Sequence, residues 1–456
     1  METEILKPKI VLNPEQQLAV NQITEFIKKG SSDEWFMLEG KAGVGKTTVV
    51  TECLKPFLSK KRIILSALSH KAKKVILGKI KENFDEAELR GLYASSVASM
   101  LGMTFDLETG KFVKIYGKKK PTIKMVDVIV VDEASMINEE GLALIMSEKK
   151  KSAKVIFLGD IGQLPPIREV DDENSGKPSS TFKTKNKYKL TKRVRQTENS
   201  SILPYSDYYW NNSVLNTEPE EDPVPLEIRK NTSEIIFTTN LEKTIIENKE
   251  HFLKLKEVQN QDLIKVIVYK NKTREAINWY IRTIIYGEPK EFEIGDVLIF
   301  NDNYSEGDEI MVENATEVTI VGIKKEKFNA KWDGYKLDVT DNESFWTVDV
   351  LSKTSLEVYN KHISDLFKAA KNLPFGKERN RQLKKAWDSK RRFANLDFGY
   401  AITSHKSQGS TYKYVIVVED DILSVSMINE VEKSQSLYTA ITRASDKVWI
   451  VSELNA

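Results

Sequence analysis

Short apolar runs alternating with amphipathic stretches organise the first half of the chain. Trp35-Phe36-Met37-Leu38, Ile63-Ile64-Leu65, Val128-Ile129-Val130-Val131 and Val155-Ile156-Phe157-Leu158 have the length and the β-branched or aromatic content of buried strands. Between them apolar positions recur at helical spacing. One predicted helix follows Asn13-Pro14, with Asn13 as N-cap, and runs to about Lys29; another spans residues 48–58. Strands alternating with helices predict a parallel sheet with covered faces, an α/β domain.

That texture breaks between Leu92 and Lys124. Residues 105–112 read as a hairpin closed by a turn ending at Gly110, so 92–124 is expected to be a small insertion. A strand at 263–269 and a helix at 273–286 begin a second α/β unit. From Ile294 onward, short strands at 295–300, 317–323, 335–339 and 345–350 alternate with turns rich in Asn, Asp and Gly. They predict a small antiparallel β-barrel. Basic helical sequence follows over 356–393, and strands at 414–418 and 447–451 restore the α/β pattern.

Composition changes this picture little. With 456 residues, 40% of them hydrophobic and 30% charged, the chain is expected to form several soluble domains. No run approaches the ~20 apolar residues of a membrane span, and the first residues lack the basic-then-apolar plan of a secretory signal. The single cysteine, Cys53, excludes an internal disulfide and suits a cytoplasmic location. A net charge of +2 decides nothing about partners, but residues 183–195 hold seven basic side chains and no acidic one. Such a stretch argues for a polyanion.

The chemistry is concentrated at strand ends. Gly40-Lys41-Ala42-Gly43-Val44-Gly45-Lys46-Thr47 fits the phosphate loop at every fixed position, between a strand and a helix. Gly43 and Gly45 let backbone N–H groups turn onto phosphates, together with the amide of Thr48. Lys46 is placed to bridge the β- and γ-phosphates of ATP, and the Thr47 hydroxyl to ligate Mg2+. Asp132 and Glu133 close the strand of β-branched residues, the first suited to hold Mg2+ through water and the second to polarise the attacking water. Gln163, just past the next strand, suits a γ-phosphate sensor, and Gln16 has an amide able to read adenine. Ser69, His70 and Lys71 open a helix at a strand's carboxyl end, where a nucleic-acid phosphate or plain solvent would serve equally.

Assembled in this order, the motifs resemble superfamily 1 DNA helicases of the RecD-type, 5′→3′ branch, over about residues 13–451. The resemblance implies two RecA-like parallel-sheet domains, at 1–91 with 125–189 and at 190–293 with 396–456. It implies a pin hairpin at 92–124, and an SH3-like barrel with a helical tower at 294–395. It assigns Gln16, Gly43, Gly45, Lys46, Thr47, Thr48 and Gly409 to ATP, and Lys46, Asp132, Glu133, Gln163, Arg195 and Arg443 to catalysis. Arg193 competes with Arg195 for the cross-cleft role. Ser69, His70, Lys71, Ser96, Thr403, His405, Lys406 and Ser407 fall to single-stranded DNA, and Phe112 or Phe105 to the terminal base pair of a fork. The activity implied is ATP-driven, 5′→3′ translocation and unwinding, by a monomer without membrane contact. A single-stranded-DNA-binding protein and replisome components are the further partners expected. Remodelling of RNA, or a nucleotide-gated DNA-binding switch, are the alternatives.

Overall fold

The computed structural model describes residues 11–68, 70–81, 83–84, 88–106, 111–114, 121–166, 177–194, 200–214, 229–306 and 309–455. Two parallel sheets and one antiparallel sheet carry the architecture. The first sheet has six strands, in the spatial order Leu92–Ser96, Ile63–Ala67, Val128–Val131, Lys154–Gly159, Trp35–Gly40 and Lys187–Leu190, all parallel. Its central strands are apolar on consecutive residues because helices cover both faces. Leu92–Ser96, irregular to the eye in sequence, is the edge strand. An edge strand needs less apolar surface, and Tyr-Ala-Ser-Ser suffices there.

Local chemistry sets the ends of the helices. Asn13 caps Pro14–Lys29 in a capping box with Gln16, a device worth ~1 kcal/mol. The helix after the phosphate loop covers Lys46–Leu54 and then tightens into a 3-10 turn, Lys55–Phe57. It stops short of the expected residue 58 because Pro56 cannot donate to the preceding turn. The strand pair Met103–Asp106 and Lys111–Lys114 forms an antiparallel ladder that sets Phe105 opposite Phe112. Residues 107–110 lie outside the described residues.

The second parallel sheet runs Ala401–Thr403, Ile264–Val268, Tyr412–Val418, Ala444–Val451 and Ile235–Thr238. Between its strands sits the third sheet, antiparallel, ordered Phe345–Leu351, Trp332–Thr340, Glu317–Phe328, Val297–Phe300 and Leu396–Phe398. The strand Leu396–Phe398 and the hairpin Tyr304–Glu306 with Glu309–Val312 went unseen in the hydropathy pattern. The basic segment is two helices, Lys353–Lys371 and Lys377–Arg391, broken at Pro374.

Buried ion pairs bolt this third sheet onto the second. Lys265, fully buried, donates to Glu317 at 2.7 Å, and Tyr412 donates to the other Glu317 oxygen at 2.7 Å. Arg282 holds Asp296 at 2.9 Å, with the Tyr400 hydroxyl adding a bond at 3.0 Å. Burial pushes the Asp296 carboxyl up despite Arg282. Pairs so enclosed are expensive to break one-sidedly, so the insertion moves with its sheet. On the far side, Lys73 of the helix His70–Lys81 meets Glu313 at 2.7 Å, joining the first sheet's unit to the insertion. No described helix is long and apolar enough to cross a membrane.

Candidate functional site

The residues expected to act on ATP gather where the carboxyl ends of the first sheet's strands face the amino ends of Tyr412–Val418 and Ala444–Val451 in the second. Gly43 and Gly45 take φ of 84° and 87°, which turns the phosphate loop inward ahead of Lys46–Leu54. A Cβ at Gly45 would displace the Gln16 amide, and with φ of 87° any side chain there is strained. Lys46 Nζ donates to the Gly40 and Lys41 carbonyls at 2.5 and 3.2 Å, parked across its own loop. Gln16 spends its amide on Val44 O (3.1 Å) and on the capping box. It braces the loop; adenine reading would require that bond to be exchanged.

Glu133 follows the strand Val128–Val131 in a left-handed conformation, φ 54°, directly after Asp132. Burial, then the neighbouring Asp132 charge, hold its carboxyl up at about 7, against the opposing pull of Arg443 and Lys46. A carboxylate poised near neutrality is suited to proton transfer. With the Gln163 amide oriented by its neighbours, its nitrogen donates to Glu133 Oε2 at 2.7 Å and its oxygen accepts from Arg443 at 3.1 Å. Arg443 comes from the other sheet, where its remaining nitrogens bond Thr439 O at 3.0 Å and Ser410 O at 3.2 Å. Glu133, Gln163 and Arg443 thus form one relay across the cleft.

A second bridge escaped the sequence reading. Tyr438, on the helix Glu430–Ile441, accepts the Ala42 N–H of the phosphate loop at 3.1 Å. It donates to Asp160 Oδ2 at 2.7 Å. Asp160 is buried and also accepts from Gly162 N and from Trp210 Nε1 at 2.9 Å. Trp210 lies so close to Gly162 that a Cβ there would be 2.2 Å from its ring. Lys41 sits 4.1 Å from that ring and pairs with Asp207 at 2.6 Å. Only the structure marks this helix: Ser434, Gln435, Ser436 and Thr439 are all buried, and polar residues are rarely hidden without a task. Tyr438→Phe keeps the ring and deletes both hydrogen bonds from the second unit to the first. It is expected to lower ATP turnover about five- to tenfold, the worth of ~1 kcal/mol, with KM for ATP little changed. Steady-state kinetics checks this.

Arg193 is held by Asp207 through two bonds, at 2.8 and 3.1 Å, and is therefore committed within the protein. Arg195 lies outside the described residues, as does Ser69. Gly409, φ 72°, adjoins Ser410, whose carbonyl takes Arg443, and so stands next to the Glu133–Gln163–Arg443 relay. Thr48 is in the first turn after Lys46. The hard oxygens of Thr47 and Asp132 fit Mg2+ as a donor pair. Among the described residues no group of three His, Cys, Asp or Glu could hold a metal, so phosphates and water would complete the shell.

Residues 11–207 match the family described as an AAA domain, and residues 398–451 the UvrD-like helicase C-terminal domain. The chain resembles the superfamily 1 helicases. An uncharacterized protein of Acanthamoeba polyphaga mimivirus is 28% identical over 97% of this chain and 100% of its own length. The ATP-dependent DNA helicase dda of Enterobacteria phage T4 is 23% identical over 96% of this chain and 98% of its own. The structure of Pif1 helicase from Bacteroides, in complex with ADP-AlF3 and ssDNA, aligns with a TM-score of 0.55 at 16% identity, over 97% of this chain and 93% of that one. At that identity the likeness concerns the fold.

In this superfamily 1 frame the residues expected to grip a strand are unequally placed. His70 and Lys71 begin the helix His70–Lys81. Ser96 caps Val97–Leu101 and Thr403 caps Ser404–Ser407, each oxygen accepting a backbone N–H. His405 packs edge-on to Tyr269 at 5.5 Å, and burial pushes its imidazole down to about 4. It is neutral at working pH and cannot serve as a cation. Lys406 is committed to Asn301 and Asp397. Ser407 is fully buried, and its hydroxyl donates to Ser404 O at 2.7 Å. A buried hydroxyl so occupied supports the turn from behind.

Proposed function

We propose that the chain is an ATP-driven helicase that travels 5′→3′ along single-stranded DNA and opens duplex ahead of it. The observation that carries this is the Glu133–Gln163–Arg443 relay, which ties a phosphate-loop unit to a second unit through the place where a γ-phosphate would lie. In this reading, residues 1–91 with 125–189 form one motor domain and 190–293 with 396–456 the other. Lys46 leaves its loop carbonyls for the β- and γ-phosphates, and Gln163 orients water toward Glu133, which accepts its proton. Arg443 meets the charge on the departing γ-phosphate. Thr47 and Asp132 would hold Mg2+, whose charge offsets that of the phosphates. Loss of the γ-phosphate removes the ligand that both units share, so the cleft can relax and re-close. The ladder that pairs Phe105 with Phe112 is proposed to part the strands at a fork.

The test is ATP turnover with and without a poly-pyrimidine DNA strand, at two salt concentrations. Strong stimulation that fades with salt is expected, since a strand held by its phosphates releases counterions. Turnover indifferent to DNA would overturn the proposal. Unwinding of substrates tailed at one end or the other then reads the polarity.

A further inference from the structure

An open cleft of about 1120 Å3 lies away from the nucleotide relay, between the helix Lys377–Arg391 and the hairpin that begins at Tyr304. Arg381, Lys384, Lys385, Arg391 and Arg392 line one side of it. Their spacing of three, four and seven residues places them along one helical stripe. Two carboxylates enter the same cleft, and one of them, Asp349, already holds Lys336 at 2.7 Å. Among the described residues Lys384 and Lys385 have no ion-pair partner, and Arg381 has only a 4.0 Å contact with Glu378. One guanidinium nitrogen of Arg391 is buried without a hydrogen-bond partner. Asp388 lies three or four residues from Lys384, Lys385, Arg391 and Arg392 and offsets part of their mutual repulsion, which leaves five cations against two carboxylates in the cleft.

The opposite wall begins three residues after Asn301, which accepts from Lys406. Tyr304 and Ser305 stand there, on the hairpin whose end, Glu313, meets Lys73 of the first unit. The hairpin wall of the cleft is thus linked, three residues along the chain, to the turn that carries Thr403 and Lys406. We propose that it is a separate binding site for single-strand phosphodiester backbone, receiving the same strand after it has crossed residues 403–407. This rests on the reading of the chain as a single-strand motor. A charged cleft of this kind tracks phosphates and is indifferent to base identity.

Arg381, Lys384 and Lys385 are exposed, so replacing all three with alanine leaves the fold intact. Fluorescence anisotropy with poly-pyrimidine strands of increasing length, across a salt series, tests the site. For the intact chain, affinity is expected to rise in a second step once the strand is long enough to leave the motor cleft. In the triple variant that step disappears, and the slope of log affinity against log salt becomes shallower by about 2, at ~0.7 per phosphate contact on a single strand. Turnover at saturating DNA stays unchanged, because none of the three touches nucleotide. An unchanged slope in a variant whose parent binds strand would overturn the cleft alone. Loss seen only on forks bearing a second single-stranded arm would also overturn it, in favour of the displaced strand. Absence of strand binding by the parent chain would instead sink the motor reading.

Discussion

Glu133→Gln is expected to lower DNA-stimulated ATP turnover by about 10²–10⁴, the worth of a positioned general base, while ATP still binds. Glutamine matches the carboxylate in size and keeps a hydrogen bond to Gln163, but it cannot accept a proton. Because burial and Asp132 hold Glu133 up at about 7, turnover of the parent chain should climb through neutral pH as the carboxylate ionises. Stability should move the other way. Folded Glu133 keeps its proton to about 7, whereas the unfolded group releases it near its ordinary 4.5. Between those values the folded state binds more protons, so stability falls as pH rises, and the deficit is complete above about 7. Glutamine carries no charge to bury. At pH 8 the variant should melt above its parent, and at pH 4 the two should nearly coincide. Thermal unfolding at both pH values, beside single-turnover hydrolysis, checks the pair of effects. A variant that lost turnover and stability together at pH 8 would show Glu133 to be structural.

Much of this site was legible because its residues sit at strand ends, where a short apolar run announces position and the next residue announces chemistry. Asp132 and Glu133 follow Val128–Val131, and Gln163 follows Lys154–Gly159 within four residues. The phosphate loop is read the same way, from Gly43 and Gly45, whose positive φ the turn requires. The two parallel sheets followed from the same runs, and the antiparallel sheet from its turn-rich texture. What escaped lies in tertiary pairing. Asp160, Asp207, Trp210 and Tyr438 look like ordinary residues until two remote helices bring them to the loop, 166 positions apart for Lys41 and Asp207. The polar run at 403–407 gave no sign that its four-residue helix turns both Ser404 and Ser407 inward. The strand Leu396–Phe398 is too short for alternation to register, and its place depends on pairing with Val297–Phe300.

Arg443→Lys is expected to cost about 10³ in turnover with little change in nucleotide affinity, as for an arginine supplied across a cleft. The substitution keeps the charge and removes the fork. Arg443 uses three separate nitrogens toward Thr439, Ser410 and Gln163, and a single ammonium cannot reach all of them. Two carbonyls buried with the guanidinium would lose a donor, so a stability loss of about 1–3 kcal/mol should accompany the kinetic one. The two effects separate in a double-mutant cycle with Gln163→Ala. If Arg443 acts by setting the amide that in turn sets Glu133, the double variant is little slower than Arg443→Lys alone, and the coupling energy nearly equals the smaller single effect. Additive losses would mean that arginine and glutamine touch the γ-phosphate independently. The cycle therefore decides whether closure of the cleft is reported to the catalytic base through Gln163. That link is what makes hydrolysis conditional on the position of the second unit, and a motor whose hydrolysis ignored that position would spend ATP without moving.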